Sequence, residues 1–201
     1  MLEKLTGMVT KKLATHREYT ESELEVIHYG LYGIFANILQ FVLLGILAIP
    51  LGIVPQLIAY LLFYEALRRY AGGAHAESQG ICIAVFTAVS VILSLFAKSV
   101  PRDMAILMIG IAPPITLIIT MWKAPVMHPN NPKSKASLIR FRKLALQMAI
   151  VQLLILWALA VLCQVAPLDR TMCLGGALGG LTAACTLLFA SNSNVQKGNE
   201  K

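Results

Sequence analysis

The chain has 201 residues, of which 57% are hydrophobic and only 13% charged, with a mean hydropathy of +0.71. Soluble domains carry roughly 25% charged residues, so this composition excludes an ordinary soluble enzyme and describes one compact domain, residues 1–201, built for lipid. The net charge of +7 matters through where the charges fall, and no nucleic-acid partner is expected from it.

Residues 1–20 read as an amphipathic surface helix. Leu2, Leu5, Val9 and Leu13 recur three or four apart, and Lys4, Lys11, Lys12 and Arg17 fall mainly between them. Such a helix can lie on an anionic membrane surface or pack on the rest of the protein. No cleavable secretory signal is expected, because about thirty largely polar residues precede the first apolar run. Thr20-Glu21-Ser22-Glu23 has the form of a capping box and predicts a helix start.

Six apolar segments follow, at about 27–49, 53–67, 81–97, 104–122, 144–165 and 172–190. A spanning helix needs about 20 apolar residues, so the second and third are short. The expected fold is all-α and polytopic, with about six transmembrane helices in 27–190 and a polar tail at 191–201. Pro50 and Gly52 predict a tight first connection, and Pro113-Pro114 a bend in the fourth span. Gly175, Gly176, Gly179 and Gly180 make two overlapping GxxxG patterns, a close helix-contact surface of undetermined partner. With both termini cytoplasmic, fourteen of the seventeen basic residues lie inside, leaving only Lys98, Arg102 and Arg170 outside. That bias supports the topology.

The polar stretch Arg68-Arg69-Tyr70-Ala71-Gly72-Gly73-Ala74-His75-Ala76-Glu77-Ser78-Gln79-Gly80-Ile81-Cys82 joins the second and third segments on the cytoplasmic side. A thiolate is favoured by a nearby histidine or a helix N-terminus, and both are at hand if the next helix starts near residues 78–80. In one continuous helix His75 and Cys82 would lie about 10 Å apart along the axis, too far for proton transfer. The segment must therefore fold back, with Gly72, Gly73 and Gly80 supplying backbone freedom. Glu65, Glu77, Ser78 and Gln79 are candidates to orient the imidazole, and a dyad without a third member is equally consistent. Glu65 also stands three and four residues before Arg68 and Arg69, where a local ion pair is the plainer role. A metal site would need Glu65 or His128 added to His75 and Cys82, so no metal and no cofactor is expected. Cys163, Cys173 and Cys185 sit in or beside apolar runs and read as small buried groups.

The run RRYAGGAHAESQGIC closely resembles the signature of the accessory gene regulator B (AgrB) family of membrane cysteine endopeptidases that process quorum-sensing propeptides. The loop from Lys123 to Lys133, KAPVMHPNNPK, resembles a basic, proline-containing loop of the same family. The resemblance implies that His75 and Cys82 are catalytic and that Arg68 and Gly73 serve activity or assembly. It places His128 and Asn131 in a second motif. It also implies a homodimer in the bacterial cell membrane with its active site near the cytoplasmic face. The implied substrate is an AgrD-type propeptide with an amphipathic leader and an acidic C-terminal tail. Lys133, Lys135, Arg140, Arg142 and Lys143 could draw that tail, or simply enforce topology and bind anionic lipid. Against these stand a small permease or peptide exporter, whose intramembrane charges are scarce here, and a non-catalytic scaffold dimerising through its glycines.

Overall fold

The computed structural model describes residues 2–14, 19–74, 78–126, 134–165 and 169–198, with the backbone alone at 2, 4 and 191–198. Helix α1 (Leu2–Ala14) is followed by α2 (Glu21–Leu51), α3 (Val54–Ala71), α4 (Gln79–Ser99), α5 (Arg102–Lys123), α6 (Lys135–Val165) and α7 (Arg170–Gly198). The protein is thus an all-α polytopic membrane protein. The six apolar segments fall one in each of α2–α7. Five of these helices are long and apolar enough to cross a bilayer; α3 is the one that is not.

Helix boundaries follow local chemistry. The Thr20 hydroxyl accepts from the Glu23 N–H at 3.4 Å, and the Glu23 carboxylate accepts from the Thr20 N–H at 2.9 Å, completing the capping box that opens α2. Gly52 closes α2 in the left-handed conformation at φ 62°, and α3 begins two residues later with Pro55 in its first turn. Helix α5 runs on through Pro113-Pro114. Pro114 has no N–H to give the Gly110 carbonyl, and the Trp157 indole on α6 donates to that carbonyl instead, at 3.0 Å.

The centre of the molecule is the α3–α7 pair. An added Cβ at Gly175 would collide with the Gln56 carbonyl, and one at Gly179 with the Tyr60 carbonyl, so the two backbones pack directly against each other. The glycine pattern of the last helix is therefore an internal contact. In α7, 56% of the apolar stretch is buried, against 17–33% in the other spans. Helix α3 buries Gln56, Leu57, Ala59, Tyr60, Tyr64, Leu67 and Ala71. Polar groups on a helix this short are tolerated because protein, rather than lipid, surrounds them. Helices α5 and α6 pack on one side of the pair, α4 and α2 on the other, and α1 rests on α2. Large apolar side chains such as Ile38, Ile92, Leu107, Ile118, Leu154 and Val161 face outward, as lipid contact requires.

Helix α1 buries Thr6 and Thr10 and leaves Leu5, Met8 and Leu13 exposed. Small polar residues face the protein side of this helix, and Leu5 and Leu13 remain exposed for a bilayer surface.

Candidate active site

The site forms where the N-terminal half of α4 meets α2, the end of α3 and α7. Ser78 caps α4, its hydroxyl accepting from the Ile81 N–H at 3.3 Å. The Cys82 N–H donates to the Ser78 carbonyl at 3.0 Å. Cys82 consequently occupies the first turn of α4, free and partly exposed.

Upstream of the thiol the chain reverses. Gly72 and Gly73 have φ of 76° and 146°, conformations that side chains with a Cβ rarely adopt. A Cβ at Gly72 would strike the Val126 carbonyl, and one at Gly73 would strike both Arg68 Nη1 and Thr186 Oγ1. Gly80, by contrast, lies within α4 with open space around it. The Val126 N–H donates to the Ala71 carbonyl at 2.9 Å, tying this reversal to the connection after α5.

Arg68 organises the reversal. Its Nη1 donates to Thr186 Oγ1 at 2.7 Å, and its Nη2 donates to the Ala74 carbonyl. Thr186 passes its own hydroxyl proton to the Ala183 carbonyl at 2.7 Å, and its carbonyl accepts from the Ala74 N–H at 3.1 Å. The guanidinium also stacks 5.6 Å above the Tyr64 ring. The local Glu65–Arg68 ion pair expected from spacing does not form among the described residues, because Arg68 is committed to this clamp. Both backbone groups of Ala74, the last described residue before His75, are thereby fixed.

Cys82, Glu65, Arg68, Ala74 and Gln79 line one cavity of about 640 Å³. Its other walls come from Tyr29, Gly33, Asn37 and Gln40 on α2, from Ile83, Phe86 and Val89 on α4, and from Thr182, Thr186 and Phe189 on α7. It is largely apolar with a few convergent polar groups, the usual make-up of a ligand site. Helices α2 and α4 are joined beside it by Gln40 Nε2 donating to Thr87 Oγ1 at 2.6 Å.

Other expected residues fall elsewhere. His75, Glu77, His128, Asn131 and Lys133 lie outside the described residues. Lys135, Arg140, Arg142 and Lys143 are exposed on the first turns of α6, and Arg142 Nη2 reaches the Met121 carbonyl at 3.4 Å. None of the four lines the Cys82 cavity. Among the described residues no group of three or more His, Cys, Asp or Glu is placed to hold a metal. Sequence reasoning passed over Thr186, Thr182, Asn37 and Gln40. The available signal was polar residues at helical spacing inside apolar runs, 37 with 40 and 182 with 186, which are costly unless used.

The description "Accessory gene regulator B" matches residues 3–187. The chain belongs to the accessory gene regulator B family. Two AgrB-like proteins of Clostridium perfringens, from strains SM101 and 13, are each 26% identical to it over 99 residues, or 49% of this chain and 46% of theirs. The chain thus spans about half the length of the curated relatives it matches. No solved structure matches it.

Proposed function

We propose that this AgrB-family protein is a membrane cysteine endopeptidase that removes the C-terminal tail of an AgrD-type propeptide and cyclises what remains. The observation that carries the reading is the juxtaposition of a helix-N-terminal thiol, Cys82, with a cavity whose wall hydrogen-bonds both backbone groups of Ala74, the residue before His75. The chemistry proceeds in two exchanges. His75 takes the Cys82 proton, and the thiolate attacks a peptide carbonyl near the propeptide's C-terminal side. His75 then protonates the departing amine, the tail leaves, and the remaining peptide is held as a thioester on Cys82. A cysteine thiol or serine hydroxyl of that peptide attacks the thioester, forming a thiolactone or lactone and returning Cys82 as a thiol. The second exchange keeps the acyl group activated, whereas water would waste it, so an apolar cavity that limits water protects the thioester from hydrolysis.

The same reading puts both termini and the active site at the cytoplasmic face of the cell membrane and gives the functional unit as a homodimer. The scaffold alternative loses its main support, since the glycine face it would use is occupied within the chain. The test is tail release from a synthetic propeptide by the purified protein in lipid, comparing wild type with Cys82→Ser at equal insertion. Release by wild type alone is expected. Equal release by both, or release by neither from a set of candidate propeptides, contradicts the assignment.

A further inference from the structure

Two side-chain amides stand in the apolar span of α2, and they are used differently. Gln40 donates to Thr87 on α4 at 2.6 Å. Asn37, one turn earlier, is exposed on the cavity wall and has no hydrogen-bond partner among the described residues. Its neighbours in the span, Ile34, Ile38, Leu39, Phe41 and Val42, are large exposed apolar groups suited to lipid. A primary amide left without partners at this depth is costly, and it carries two donors and an acceptor.

Its height relative to Cys82 follows from the helix register. Helices α2 and α4 run in the same direction, since the Leu51 carbonyl at the end of α2 accepts from Lys98 near the end of α4 at 2.9 Å. The Gln40–Thr87 bond sets them level at that pair. Asn37 is three residues back from it and Cys82 five, about 4.5 Å and about 7.5 Å along the axes at 1.5 Å per residue. The amide therefore faces the same cavity about 3 Å from the level of the thiol.

We infer that Asn37 is a substrate-binding residue that hydrogen-bonds the main chain of a peptide lying in the cavity beside Cys82. An extended peptide entering an apolar cavity presents unpaired N–H and C=O groups, and a carboxamide matches one such pair: its N–H donates to a peptide carbonyl while its oxygen accepts from a peptide N–H. Residues on α4 and α7 that line the cavity supply mostly apolar contact, so the amide fixes register where those contacts do not. This inference rests on the peptidase reading for its ligand, but its test does not depend on turnover.

The experiment measures binding of a synthetic propeptide, with an amphipathic leader and an acidic tail, to Cys82→Ala protein in lipid nanodiscs, with and without Asn37→Leu. In parallel, kcat and KM for tail release are compared among wild type, Asn37→Leu and Asn37→Gln, along with the rate of Cys82 alkylation in the absence of peptide. Loss of one or two neutral hydrogen bonds predicts weakening of Kd and KM by ~10-fold in Asn37→Leu. It also predicts partial recovery in Asn37→Gln, and unchanged alkylation. Unchanged binding with higher thermal stability in Asn37→Leu identifies a lipid-facing amide and overturns the inference. A fall in alkylation rate together with kcat identifies a packing role and overturns it as well. Absence of turnover in wild type with intact, Asn37-dependent binding contradicts the peptidase reading and leaves the binding residue established.

Discussion

The two faces of α3 are built on opposite plans. One face presses its backbone onto α7, where Gly175 and Gly179 leave no room for a single methyl group. At its C-terminal end the other side, carrying Glu65 and Arg68, opens with α2 and α4 onto a cavity of about 640 Å³. The closed seam fixes α7, and α7 then presents Thr186 to the loop that closes the open side. Rigidity on one face is what allows a preformed void on the other, because a site held by loop contacts alone would not keep its geometry.

That contrast can be broken from either side. The largest effect is expected at the seam. Gly179→Val places a branched side chain against the Tyr60 backbone and should destabilise by more than the ~1–3 kcal/mol typical of overpacking, seen as loss of folded protein or a lowered Tm in lipid. Gly180→Ala, whose added methyl meets the Gln152 and Thr116 side chains and no backbone of a neighbouring helix, should be milder. Equal tolerance of both would refute the close backbone contact. Next comes Arg68→Lys. A lysine cannot hold the Ala74 carbonyl and Thr186 together as a guanidinium does. Losing part of charge-assisted bonds worth ~1.5–3 kcal/mol predicts a measurable loss of stability, and a displaced Ala74 beside the site predicts a fall in kcat of roughly 10–100-fold. Thr186→Val should cost less, roughly 3–10-fold in kcat, with Thr186→Ser close to wild type. A wild-type rate in Thr186→Val would show the clamp to be dispensable. The smallest change is expected from reversing Lys135, Arg140 and Lys143. Exposed charges are screened within about 10 Å at 0.1 M salt. Tail release should therefore slow severalfold at low ionic strength and recover at high salt, and a rate independent of both would remove these residues from substrate recruitment.

Much of this architecture was legible from residue order alone. The apolar runs gave the helices, the Thr20–Glu23 box gave the start of α2, and Pro50 with Gly52 gave the turn into α3, because each depends on near neighbours. The fold-back expected between His75 and Cys82 runs through 75–77, outside the described residues. What could not be read depends on distant partners. Arg68 and Thr186 are 118 residues apart, so local spacing paired Arg68 with Glu65 instead. Helix α6 begins nine residues before its apolar run because Ser134 caps it, accepting from the Ser137 N–H at 3.3 Å, a signal masked by the surrounding charges. The partner of the glycine face was open for the same reason, and the length of α3 made sense only once its burial against α7 was known.

The central claim is that Cys82 carries the peptide as a thioester. Intact-mass measurement of the protein itself, after brief incubation with propeptide in lipid and quenching in acid, tests it most directly. An adduct equal to the propeptide minus its acidic tail and one water is expected, released by hydroxylamine and absent in Cys82→Ala and His75→Ala. Tail release by wild type with no adduct at any time point, or an adduct that persists in Cys82→Ala, would contradict it.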